Sequence, residues 1–273
     1  MSAPRLVRGG RLLLALCILV TAAGCATVGG APPRQSAGQK LDPWENWNRK
    51  VFAFNEGLDE HLLKPVATAY QKVVPSFVRS AVTNFFGNAQ DGWSAVNHLL
   101  QGKGQSAFEM MVRFNTNTVF GFGGVLDIAS EAGIERQPED FGQTLGAWGF
   151  GAGAYIVWPV LGPSSVRDSL ALPLDRSATP AVLFSNDLGT ELTVLTLQLV
   201  DTRANLLSAS RVIDDIALDK YTFVRDGYLA RRRSLVYDGN PPDREVMDDA
   251  EMDLPAEPSP AESPAAGASA PAR

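Results

Sequence analysis

Residues 42–65 read Asp42-Pro43-Trp44-Glu45-Asn46-Trp47-Asn48-Arg49-Lys50-Val51-Phe52-Ala53-Phe54-Asn55-Glu56-Gly57-Leu58-Asp59-Glu60-His61-Leu62-Leu63-Lys64-Pro65. Asp42 followed by Pro43 and Glu45 has the pattern of a helix start: a carboxylate as N-cap, a proline in the first turn and a glutamate placed to return the bond. Trp44, Trp47, Val51, Phe54, Leu58 and Leu62 follow at alternating spacings of three and four, which is one stripe of a helix. Lys64-Pro65 is expected to end it.

The same period recurs along the chain. Val66, Tyr70, Val73 and Val74 make a second segment before Pro75, and Phe77, Val78, Ala81, Val82, Phe85 and Phe86 a third, stopped at Gly87. Trp93, Val96 and Leu100 mark a fourth before Gly102-Lys103-Gly104, and Ala107, Met111, Phe114 and Thr118 a fifth. Pro163-Ser164-Ser165 opens a further helix, Leu188, Leu192, Leu195, Leu199 and Leu206 mark a long one, and Ile216, Tyr221, Val224, Tyr228 and Leu235 the last. Between these runs, residues 119–162 are dense in glycine and interleaved with Phe, Tyr and Trp, a composition of turns, close backbone approach or movement. Ala154 to Leu161 reads as a short extended run. The fold class expected is mainly α: a single domain over residues 42–238 with one Gly-rich irregular segment.

The flanks differ from this body. Arg5, Arg8 and Arg11 precede an apolar run from Leu12 to Ala23, the pattern of a secretory signal peptide over residues 1–24. That run is too short to span a bilayer, which needs ~20 residues. Ala22-Ala23-Gly24-Cys25 resembles a bacterial lipobox, with Ala22 where leucine is usual. Cys25 is therefore expected to be acylated; the other reading is plain secretion with Cys25 as an unpaired thiol. Residues 25–41 read as the lipidated cysteine and a flexible Gly/Pro/Ala tether. Residues 239–273 hold eight acids against Arg244 and Arg273, with almost no large apolar group, and are expected to be disordered.

The chain has 273 residues and a formal net charge of −6. That balance argues against nucleic acid, which rewards a basic face. With Cys 2 and His 2 there is little for a metal site or a disulfide framework, and no metal or cofactor is expected. The sequence lacks G-x-S-x-G, H-E-x-x-H, a Walker A loop and an EF-hand loop. His61 and His98 are read as satisfied or interfacial histidines, so the expectation is a protein without an enzymatic reaction.

An ordered series of short motifs resembles the VacJ/MlaA outer-membrane lipoproteins. It comprises Asp42-Pro43-x-Glu45-x-x-Asn48-Arg49, Phe52-x-Phe54-Asn55, Asn84-Phe85-x-Gly87-Asn88, Asn97-x-x-Leu100-Gln101-Gly102 and Arg113-Phe114-x-x-Asn117-Thr118. Then come Gly121-Phe122-Gly123-Gly124-x-x-Asp127, Phe141-Gly142-Gln143-Thr144-Leu145-Gly146, and Pro159-x-x-Gly162 with Arg167-Asp168. The resemblance implies a curved, ring-like helical body in the inner leaflet of the outer membrane, facing the periplasm and pierced by an amphipathic channel beside a porin. It implies removal of stray phospholipids from the outer leaflet and their transfer to a soluble periplasmic carrier. The alternative is a structural lipoprotein that scaffolds a porin or envelope complex; a membrane hydrolase is a third reading.

Also by resemblance, Val119–Ala132 corresponds to a mobile hairpin gating the channel, with Phe120, Gly121, Phe122, Gly123, Gly124, Leu126 and Asp127 as channel or gating residues; an ordinary packed turn is the other reading. Phe54-Asn55 resembles a motif linked with channel control. Arg113, Arg167 and Asp168 either pair with one another or offer an arginine to a phosphate. The apolar stripes are equally open: each faces a core, or faces lipid.

Overall fold

Pro65 does not end the first helix. The computed structural model describes residues 41–183 and 187–241, and in it α1 (Glu45–Leu58) runs through a five-residue π-helical turn, Asp59–Leu63, into α2 (Lys64–Val73). Within the turn the Lys64 amide donates to the Asp59 carbonyl, five residues back. A proline lacks an N–H and its ring collides with the carbonyl four residues earlier. The wider π turn has already loosened the ladder there, so the chain continues. Arg203 holds the turn from outside, donating to both Asp59 oxygens at 2.5 and 2.7 Å.

Gly87 does not stop a helix either. α3 spans Ser76–Leu100 without a break, merging two expected segments. The glycine is buried, and a methyl group on it would collide with the Arg136 guanidinium. Close approach, not termination, explains it. Gly102, at φ 77°, then turns the chain into α4 (Gly104–Val119), which packs beside α3. Two short helices follow, α5 (Ile128–Glu131) and α6 (Phe141–Ala147). The expected extended run becomes β1 (Tyr155–Trp158), antiparallel to β2 (Gly162–Ser165) with Tyr155 opposite Ser165 and Trp158 opposite Gly162. Ser165 caps α7 (Val166–Ser177) by accepting from the Asp168 amide at 3.1 Å. After α8 (Pro180–Leu183), Asp187 caps the long α9 (Leu188–Ile216), which absorbs Ile216, and Asp219 caps α10 (Lys220–Val236).

Asp42 is not the cap of α1. Trp44 holds that position with no side-chain bond, and Glu45 pairs instead with Arg49 at 2.7 Å. Asp42 is buried among Asn48, Tyr221 and Arg225.

The helical period names faces correctly but not their surroundings. On α1 only Val51 of the apolar stripe is buried; Trp44, Trp47, Phe54 and Leu62 are exposed. On α9, Leu188, Leu192, Leu199 and Leu206 are exposed as well. On α3 the buried positions include Asn88, Asp91, Ser94, Asn97 and His98, while Phe77 and Leu99 face outward. The apolar core is correspondingly thin. One cluster joins Val51, Tyr155, Val157 and Tyr221, and another joins Ala67, Ala204 and Leu207. Among the described residues, polar side chains fill much of the interior and large apolar ones much of the exterior, the reverse of the partition that water favours.

Candidate functional site

The motif residues turn out to be ties between segments. Asn48 on α1 donates to Asp42 at 2.7 Å and to the Tyr155 carbonyl at 3.1 Å, and accepts from the Val157 amide at 2.9 Å. Two helical turns later, Asn55 donates to the Trp158 carbonyl at 2.9 Å and accepts from the Val160 amide at 2.8 Å. These two amides, on one face of α1, hold β1 and its turn against the helix. Phe54, beside Asn55, points away and is 57% exposed.

A second cluster lies between α3 and α4. Arg113, 1% exposed, donates Nε to Asp91 at 2.9 Å and Nη2 to both oxygens of Asp127 at 2.7 Å. Its Nη1 reaches Ser130 at 3.1 Å and the Ile134 carbonyl. Asn117, one turn along α4, donates to Asp127 at 3.0 Å and accepts from the Ala129 amide at 2.8 Å. Asp91 also pairs with Arg136 Nε at 2.9 Å. Burial pushes the Asp91 carboxyl above its ordinary value despite both arginines. Burial acts the same way on Asp127, but bonds from Ser130, Arg113 and Asn117 outweigh it and hold that carboxyl at about 2.

The segment expected to gate, residues 119–132, forms consecutive turns and α5 rather than paired strands. Phe120 and Phe122 are exposed, Phe122 at 80%, and Leu126 is exposed beside them. Gly121 is buried, and a methyl on it would strike the carbonyl oxygens of Leu126 and Asn117. Gly123 and Gly124 both take positive φ, and Gly124 packs on Asn88.

Arg167 and Asp168 belong to a third cluster and do not meet Arg113. Arg167 donates to Asp168 at 2.9 Å; Arg232 on α10 bridges Asp168 at 2.9 Å and Asp140 at 2.5 Å; and the Tyr228 hydroxyl donates to Asp168 at 2.6 Å. Burial raises the Asp168 carboxyl, but Arg232 and the Tyr228 hydroxyl pull it below its ordinary value. Asp91, Arg136 and Asp140 went unread in the sequence. Their signal was there for Asp91: Asn84, Asn88, Asp91, Ser94, Asn97 and Gln101 share a helical spacing as regular as the apolar one.

His61 bonds the Gly57 carbonyl at 2.8 Å within its own helix, and buried His98 bonds the Gln137 carbonyl at 3.1 Å. Among the described residues no group of His, Cys, Asp or Glu could hold a metal ion, and no helix is long and apolar enough to cross a membrane. The signal peptide, Cys25, the tether as far as residue 40, and residues 242–273 lie outside the described residues. An open apolar patch on one face of α9 is formed by Leu192, Thr193, Thr196, Leu197 and Val200.

Comparison with known proteins agrees with the motif series. A profile described as MlaA lipoprotein matches residues 40–235. An Escherichia coli protein named intermembrane phospholipid transport system lipoprotein MlaA is 32% identical over 253 residues, covering 89% of this chain and 96% of that protein. The protein of that name from Haemophilus influenzae is 31% identical over 234 residues, covering 84% and 91%. A solved structure presented as the structural basis for maintenance of bacterial outer membrane lipid asymmetry superposes with a TM-score of 0.64 at 32% identity, covering 71% of this chain and 98% of that one. The chain belongs to the MlaA lipoprotein family.

Proposed function

We propose that this protein acts in intermembrane phospholipid transport and in keeping the outer membrane asymmetric, by moving phospholipid without making or breaking a covalent bond. One observation carries the reading: the apolar stripes of α1 and α9 face outward while polar side chains tie the interior together. A phospholipid has roughly 30 methylenes, so carrying it bare through water costs on the order of 20 kcal/mol. A body that is apolar outside can sit among acyl chains, and the open face of α9 offers apolar surface of the required kind.

The finer picture is part of the proposal. Cys25 carries the acyl anchor, and the body lies on the periplasmic side of the outer membrane next to a porin. Lipid leaves the outer leaflet through an amphipathic channel and is passed to a soluble periplasmic carrier. Phe54, Asn55 and the segment around Phe120 to Asp127 govern passage. Arg113, Arg167 and Asp168 act as ion-pair residues, since protein carboxylates already occupy both guanidinium groups.

Deleting the gene is expected to raise outer-leaflet phospholipid and detergent sensitivity, and the intact gene to restore both. Unchanged outer-leaflet phospholipid under envelope stress would overturn the reading. A photo-crosslinker at a position lining the proposed channel, away from the outward stripes that bulk lipid also reaches, separates transfer from scaffolding, because scaffolding alone yields no lipid adduct there.

A further inference from the structure

The exposed apolar loop on α4 is closed on itself. The Asn117 carbonyl accepts from the Gly124 amide, the Thr118 carbonyl from Gly123 and the Gly121 carbonyl from Leu126, each at 2.9 Å. Its outer surface is apolar throughout: Val119, Phe120, Phe122, Val125 and Leu126 are all exposed. Asn88 holds the entry by donating to the Thr118 hydroxyl at 2.9 Å, and Asn84 reaches the Val125 carbonyl at 3.1 Å. The exit is held by charge. Arg113 spends its donors on Asp127, Ser130 and the Ile134 carbonyl, all just beyond the loop, and on Asp91 of α3 behind it. Asp91 is in turn backed by Arg136. Two arginines and two aspartates thus form a neutral set whose every member is paired, with Arg113 and Asp91 buried and Asp127 and Arg136 partly exposed. Breaking one member strands a charge away from water, which makes such a set stiff.

We propose that Arg113 is a positioning residue for phospholipid transfer. Through Asp127 it pins the exit of the apolar loop to the α3–α4 pair, so the loop meets lipid at one fixed place and only residues 119–126 can move. This rests on the transport reading above.

The test uses the full-length protein with Asp127→Asn, and with Arg113→Lys as a second variant that keeps the charge and loses the two-pronged contact. Asp127 is the milder site because it is partly exposed. Two measurements are made at matched protein level: amide hydrogen exchange of the purified protein, and outer-leaflet phospholipid in cells complemented by each variant. In Asp127→Asn the Gly123, Gly124 and Leu126 amides are expected to exchange at least tenfold faster, with those of Ala95 and Met110 unchanged. Outer-leaflet phospholipid is expected to rise at least threefold over wild type. Arg113→Lys is expected to move both readouts the same way and by less.

Three outcomes overturn the inference. Loop amides that do not change mean the pair is no latch. Equal acceleration at Ala95 and Met110 means Arg113 serves overall stability alone. Faster loop amides with normal outer-leaflet phospholipid mean loop position does not matter to transfer. Failure of the transport reading looks different, because the wild-type gene itself would then not restore asymmetry.

Discussion

Asn48 joins three segments through one amide. It is wholly buried, and its oxygen and nitrogen satisfy the Val157 amide, the Tyr155 carbonyl and the Asp42 carboxylate together. None of these groups has water to fall back on. Asn48→Ala therefore leaves a buried amide and a buried carboxylate each short of a partner, at ~1–3 kcal/mol per orphaned group. The variant is expected to lose about 2–4 kcal/mol and, for a body of this size, to melt roughly 5–15 °C lower. Thermal unfolding in detergent checks this; a loss under ~1 kcal/mol would mean the amide is a bystander. Asn48 and Asn55 were legible as motif residues, but what they hold was not. An asparagine in a sequence does not say which backbone 100 residues away it will meet.

At the level of elements, period was legible and direction was not. A spacing of three and four places residues on one face of a helix and says nothing of what that face touches. The stripes on α1 and α9 were read correctly as helical, and both lie largely outside. Two boundaries were misread for a related reason. Proline and glycine usually end helices, but Pro65 follows a π turn that Arg203 braces and Gly87 makes room for Arg136, and neither arginine is local in sequence. Within α9 the exposed half carries a sharper message. From Leu192 to Val200 it has no charge, whereas from Asp201 onward it makes ion pairs and hydrogen bonds to α2, α3 and the π turn. Leu197→Arg is expected to change stability in detergent by no more than the ~0.5 kcal/mol of ordinary surface changes, about 1–2 °C in melting temperature. In the membrane the same arginine costs ~2.5–3.5 kcal/mol if the segment lies in hydrocarbon. Outer-leaflet phospholipid should then approach the level of the deletion strain. Normal complementation by Leu197→Arg would place that face of α9 in water.

For the molecule as a whole, the question is how many anchors hold it. A lone acyl chain binds a membrane reversibly, and firm attachment takes a second signal. If Cys25 is acylated, the apolar exterior of the body is a further one. Trp44 and Trp47, exposed near the start of the described chain, suit the boundary between head groups and acyl chains, where an indole keeps one end wet. The two kinds of anchor separate in a Cys25→Ala variant exported behind an ordinary cleavable signal. With the body alone holding the membrane, more than half of the wild-type amount should stay in the membrane fraction through a high-salt wash. Salt matters because it screens surface charge pairing but strengthens apolar burial, so a body held by its stripes stays put while one held by charge comes off. Release of the variant into the soluble periplasm would show the outward-facing leucines and tryptophans to be covered by something other than lipid. Retention together with lost transport would assign the acyl chains to delivering the body to its working membrane, since a flexible 16-residue tether reaching at most ~58 Å bounds distance and does not set orientation.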